Sequence, residues 1–202
     1  MTSMDQRELW NERYREKAAG WGGEPNQFVA AHLADLEPRR VLDLGAGQGR
    51  NAIWLAARGH QVTAVDISDV AIEQARELAG RAGVDVEFVA ADLEAWDPEP
   101  GRFDLVLLAY LQAPEAARKL LHAKVRRALA VGGEVFIIAH HSENLDHGIG
   151  GPQSPEKLFD EGMLSGDFAG FEIKQNMAVT RRVDKDGVVG DAIDLLFRAV
   201  KA

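Results

Sequence analysis

The sequence contains no cysteine among its 202 residues. That absence excludes disulfides, thiolate metal centres, iron–sulfur clusters and any mechanism whose nucleophile is a cysteine. Positive charge is in short supply: Lys and Arg number 23 against 32 Asp and Glu, a formal net charge of -9. Such a field repels phosphate backbones and anionic lipid, so neither nucleic acid nor a membrane is an expected partner. No run approaches the roughly 20 apolar residues needed to cross a bilayer. The start, MTSMDQRELW, is polar and unlike a charged-then-apolar secretion signal, so a cytoplasmic location is expected. What is present is the balance of a globular protein, 46% hydrophobic and 27% charged. The length predicts one domain over residues 1–202, with a helical segment at 1–36 ahead of a core at 37–202.

Short apolar runs without alternation occur at 41–44, 62–65, 86–90, 105–109 and 135–139, as in strands buried on both faces. Helical patterns at 51–58, 68–81 and 115–130 lie between them. In the last, Leu120, Leu121, Val125, Ala128 and Leu129 are expected to share one apolar stripe, and Gly59, Gly83 and Gly132-Gly133 to close the helices. Further helices are expected at 4–19 and 27–36. The alternation of strand and helix predicts an α/β fold, a doubly wound, mostly parallel sheet. Extended stretches at 171–183 and 192–200 are too close for a parallel crossover, so the sheet ends in an antiparallel hairpin turning at Asp186-Gly187.

The strongest local signal is Asp43-Leu44-Gly45-Ala46-Gly47-Gln48-Gly49-Arg50-Asn51, a buried strand running through glycines into a helix. Bare backbone there lets a ligand approach closely, and a helix start offers unpaired N–H groups. Asp66 ends the second strand, where a carboxylate suits the vicinal hydroxyls of a ribose. Asp92 follows the third, where a carboxylate suits an adenine amino group. Each acid also has a plain structural reading: Asp43 bracing the glycine turn, Asp66 capping a helix, Asp92 forming a turn. Together they fit a ligand at the carboxyl ends of an open α/β sheet, an adenosine-containing cofactor. A nicotinamide dinucleotide is disfavoured, because its fingerprint wants glycine where Arg50 stands.

These residues, with five parallel strands and a terminal hairpin, resemble class I S-adenosylmethionine-dependent methyltransferases over nearly the whole chain. Gly47-Gln48-Gly49-Arg50-Asn51, Trp10-Asn11-Glu12-Arg13-Tyr14 and Trp21-Gly22-Gly23-Glu24-Pro25-Asn26 are similar to the small bacterial tellurite-resistance and thiopurine methyltransferase-like enzymes. The resemblance implies S-adenosylmethionine as cofactor, with its methionine part against Gly45, Ala46 and Gly47 and its ribose on Asp66. It implies adenine between Ile67 and Leu93 and facing Asp92, Ala109 near the transferable methyl, and Tyr14 and Trp21 in a lid.

The acceptor is expected to be a small molecule, methylated at O, S, N or a chalcogen. Tyr110, Gln112, His140 and His141 occupy the ends of strands four and five, and His140 is the first choice of base. No metal is expected, since the histidines of 140–147 have no helical ligand spacing. Arg182 matches an arginine that the resemblance associates with the acceptor, while Arg181 replaces the histidine beside it and Val188-Val189 replace an arginine beyond the turn. Neighbours in a strand face opposite ways, so at most one of Arg181 and Arg182 is expected to reach a pocket. A monomer or homodimer is expected. Two alternatives stay open: a sensor that binds the cofactor without turnover, and a nicotinamide oxidoreductase.

Overall fold

The computed structural model describes residues 3–16, 23–185 and 187–202. Seven strands, β1 (Arg40–Leu44), β2 (Gln61–Asp66), β3 (Glu87–Ala90), β4 (Phe103–Ala109), β5 (Leu129–His140), β6 (Phe171–Lys185) and β7 (Val188–Lys201), form one sheet in the order β3-β2-β1-β4-β5-β7-β6. The first five are parallel, and β7 runs antiparallel to both β5 and β6. The strand order reverses between β1 and β4, where α/β sheets open a crevice for a ligand.

Successive residues of the central strands feed two cores. Leu42, Leu44, Val106 and Ile137 lie in one, with Val125 of α5 (Glu115–Ala128) and Leu164 of α7 (Glu161–Asp167). Val41, Leu105, Leu107 and Phe136 lie in the other, with Leu33 of α2 (Gln27–Leu33) and Leu55 of α3 (Arg50–Ala56). Burial on both faces is why these strands read as continuous apolar runs rather than alternating ones. The other helices are α1 (Ser3–Glu16), α4 (Asp69–Ala82) and α6 (Asn144–His147).

Three expectations need correction. The helix expected to run to 130 ends at Ala128, and Leu129 already belongs to β5, so Gly132-Gly133 lie inside the strand, where its register to β4 shifts. The expected stripe holds at Leu121, Val125, Ala128 and Leu129 but not at Leu120, which is 47% exposed, and Arg118 and His122 are buried beside it. Both face Asp167 of α7, Arg118 Nε at 3.0 Å as an ion pair and His122 Nδ1 at 2.7 Å as a hydrogen bond, which places opposite charge beside the buried guanidinium. The hairpin is also tighter than expected, since Lys185 pairs with Val188. Gly187 has φ 81°, and its N–H donates to Asp184 Oδ1 at 2.9 Å. Among the described residues no helix is long and apolar enough to cross a membrane.

Candidate active site

β1 ends at Leu44, and the chain folds back over β2: the N–H groups of Gly45 and Ala46 both donate to Val65 O, at 2.8 Å and 3.1 Å. Gly47 then donates to Asp66 Oδ2 at 2.8 Å, and Ser68 donates to Asp66 Oδ1 at 2.9 Å. The carboxylate that ends β2 therefore shapes both the glycine loop and the start of α4, which Ser68 caps by accepting from Ala71 N. At Gly45 (φ 67°) a Cβ would meet the Leu111 side chain at 3.0 Å, and at Gly47 (φ 55°) it would lie 2.5 Å from the Tyr14 hydroxyl. Both positions need glycine for conformation and for space.

Tyr14 reaches the loop because α1 is fastened across it by polar bonds. Asn11 Oδ1 accepts from Ser68 Oγ at 2.7 Å, Arg7 pairs with Asp69 at 2.8 Å, and Gln74 Nε2 donates to Tyr14 O at 3.3 Å. The expected lid residue Tyr14 thus lies over the glycine loop, while Trp21 falls outside the described residues.

Beneath the loop, Asp43 is 1% exposed, and the Ala52 N–H and the charge of Arg50 favour its carboxylate only in part. Burial, with the charge of Asp66 adding to it, pushes its pKa up to about 7. Asp66 is raised as well, chiefly by burial, against the pull of its backbone donors. Asp92 is half-buried, and its Oδ1 accepts from Glu94 N at 2.9 Å, which braces the turn after β3. Ile67 and Ala109 stand half-buried at the ends of β2 and β4, and Leu93 packs on the core.

Across the crevice a second cluster gathers around Asp194, a residue that sequence reasoning missed. It is fully buried in β7, and its Oδ2 accepts from Tyr110 Oη at 2.7 Å and from Arg181 Nε at 2.6 Å. Its Oδ1 lies 3.1 Å from Nδ1 of His140. Burial works against its charge, but the His140 and Tyr110 contacts and the Arg181 charge outweigh it and hold the carboxyl below its ordinary value. Tyr110 is raised well above the phenol range by burial and by Asp194. It is the one described non-glycine residue with positive φ, 58°, and its ring lies 4.8 Å from that of His140. Gln112 clamps the end of β5 on both sides, accepting from His140 N at 3.1 Å and donating to His140 O at 3.3 Å.

The two arginines divide as their alternation requires. Arg181 turns to Asp194 with 23% of its side chain exposed, whereas Arg182 pairs with surface Asp191 and is 66% exposed. Both nevertheless border the same cavity, against the expectation that at most one would reach a pocket. His141 is engaged elsewhere: its Nδ1 accepts from Glu143 N at 3.1 Å and its Nε2 faces Glu161 at 3.2 Å. Gly23, Glu24, Pro25, Asn26, Gln27, Arg50, Tyr110, Arg181 and Arg182 line a cavity of about 290 Å³ beside this cluster. Among the described residues no group of three His, Asp or Glu is placed to hold a metal ion.

The glycine loop, with acids at the ends of three successive strands, falls within residues 41–133, which match the methyltransferase domain family. That segment is similar to a methyltransferase domain. The ubiquinone biosynthesis O-methyltransferase of Idiomarina loihiensis is 32% identical over 114 residues, 54% of this chain and 45% of that protein. The chain spans about half the length of the first curated relatives it matches. The fold also has likenesses among solved structures. A structure from work on the conversion of a disulfide bond into a thioacetal group during echinomycin biosynthesis superimposes with TM-score 0.77 at 24% identity, covering 97% of this chain and 92% of the other. TehB from Haemophilus influenzae superimposes with TM-score 0.74 at 18% identity, covering 96% and 67%. Both likenesses bear on the fold of the domain, a mostly parallel sheet with a terminal hairpin.

Proposed function

We propose that this chain transfers the methyl group of S-adenosylmethionine to a small-molecule acceptor. The observation that carries the reading is the glycine loop itself: bare backbone at Gly45 and Gly47 in a left-handed conformation that side chains rarely adopt, roofed by Tyr14 and floored by the buried carboxylate of Asp43. A cationic nucleoside suits that cradle, because a buried carboxylate gains from a further positive neighbour. When bound, S-adenosylmethionine supplies a methyl group already activated on a sulfonium sulfur.

The chain's own residues then bind and orient. Gly45, Ala46 and Gly47 present backbone to the methionine part, Asp66 accepts from the ribose, and Asp92 accepts from the adenine amino group. Ile67 and Leu93 cover the adenine faces, Ala109 leaves room at the reacting end, and Tyr14 with Trp21 excludes water. His140 takes the acceptor's proton at the ring nitrogen remote from Asp194, while Asp194 fixes the other nitrogen and stabilises the imidazolium that forms. Tyr110 holds the carboxylate in place. Alignment of acceptor with methyl, rather than covalent chemistry, provides the rate. The protein works in the cytoplasm, as a monomer or homodimer, with no nucleic-acid or membrane partner.

Calorimetry with S-adenosylmethionine tests the reading. Saturable binding that weakens by about 1–3 kcal/mol in Asp66→Ala supports it. Absence of binding heat and of thermal stabilisation in folded wild-type protein would overturn it.

A further inference from the structure

β3 is an edge of the sheet and only four residues long, so the turn that follows it has a sheet neighbour on one flank alone. Its start is held by β2, where Ala91 N donates to Asp66 O at 2.8 Å. From there the chain makes one helical turn. Ala95 N and Trp96 N donate to Asp92 O at 3.1 Å and 2.8 Å, and Glu94 N donates to Asp92 Oδ1 at 2.9 Å. A turn that stops after one round leaves its later carbonyls without helical donors, so these are supplied from elsewhere.

One side chain supplies them. Lys124 of α5 donates from Nζ to Leu93 O at 2.9 Å, Glu94 O at 2.7 Å and Trp96 O at 3.0 Å, which matches the three donors of an ammonium. Its side chain is 11% exposed, and Asp97 at 3.5 Å provides the opposite charge. Its stem shares an apolar recess with Leu93, Trp96, Pro98 and Leu121 that has no room for a water molecule. Three carbonyl dipoles gathered on one point repel one another, so a cation at their focus favours this shape of the turn over others.

Asp92 and Leu93 are the two residues of this turn that the methyl-transfer reading above assigns to the base, and the inference rests on that reading. Leu93 is held through its carbonyl, and Asp92 through its carbonyl and Oδ1, with Oδ2 outside those bonds. We propose that Lys124 is a positioning residue for base recognition: acting through the backbone, it holds the 92–97 turn so that Asp92 Oδ2 meets the adenine amino group and Leu93 lies against the ring. A carboxylate accepts from an amino group and repels a carbonyl oxygen. A turn held in this shape therefore prefers adenine to hypoxanthine, which carries oxygen in place of that amino group.

The test is calorimetry on the full chain with S-adenosylhomocysteine and its hypoxanthine analogue, S-inosylhomocysteine. Failure of wild-type protein to bind either compound overturns the methyl-transfer reading itself. The adenine compound should bind roughly tenfold or more tightly than the hypoxanthine compound. Equal binding of the two overturns the assignment of Lys124 and leaves the cofactor site in place. Lys124→Met keeps the stem and removes the three donors. It should weaken the adenine compound roughly tenfold and narrow the preference toward unity. A loss shared equally by both compounds, as expected for Asp66→Ala on the ribose side, marks a merely structural role and overturns the proposal. Lys124→Gln, which loses the charge but keeps an amide donor, serves if Lys124→Met melts early, and it should narrow the preference in part. An unchanged preference in either folded variant overturns the proposal as well.

Discussion

The hydroxyl of Tyr14 stands 2.5 Å from the point a Cβ on Gly47 would occupy, so the first helix and the glycine loop are shaped against each other. Gly47 also has φ 55°, where an L side chain is strained by about 1–2 kcal/mol. Gly47→Ala should therefore displace α1 and weaken cofactor binding roughly tenfold. Limited proteolysis within residues 3–16 and cofactor calorimetry check it. Pairing the substitution with Tyr14→Ala should restore part of the affinity by removing the clash.

Asp43 makes stability depend on pH in an unusual direction. Its folded pKa, about 7, lies above the ordinary 3.8, so between these values the folded chain holds a proton that the unfolded chain has released. Stability from this residue is present in full below the lower value and is lost as pH rises through the upper one. At about 1.4 kcal/mol per pH unit, the loss approaches about 4 kcal/mol. Denaturant titrations at pH 5 and pH 8 on cofactor-free protein should show this decline, and Asp43→Asn should flatten it while stabilising the protein at pH 8.

Much of this was legible before any coordinates. Runs such as Leu105 to Ala109 between helical patterns revealed the parallel strands, because burial on both faces leaves no polar alternation. The loop at 45–49 with Asp66 revealed the ligand edge. The end of α5 was hidden, because Val125, Ala128 and Leu129 keep helical spacing across the point where the backbone turns extended. Asp194 had a signal that went unused: an acid between Ile193 and Leu195 in an apolar strand asks for a buried partner. Its partner was also within reach. A two-residue turn after Lys185 pairs Arg181 with Ala192, and that register puts Arg181, not Arg182, on the face of Asp194.

Asp194→Asn removes the one carboxylate that, among the described residues, Tyr110, Arg181 and His140 share. Breaking such a buried pair from one side should destabilise the protein by about 3–5 kcal/mol. Turnover should fall further than stability accounts for, because the imidazole loses its orienting charge. Chemical denaturation and single-turnover rates on the folded fraction distinguish the two effects.

His140→Ala should lower turnover by roughly 10²- to 10⁴-fold with cofactor affinity unchanged, since the ring stacks on Tyr110 and not on the glycine loop. The rate of labelled methyl transfer and calorimetry with cofactor provide the two readouts. A normal rate would leave His140 as a packing residue.

Of the fourteen residues in α1, Asn11 and Tyr14 alone are buried. The segment over the nucleotide edge is thus latched by one ring and a few polar bonds, and contributes little to either hydrophobic core. Lifting it forfeits far less than melting the sheet, so local opening there is frequent while the domain stays folded. On the proposed reading, spent nucleoside leaves and fresh nucleoside arrives through that doorway at each cycle.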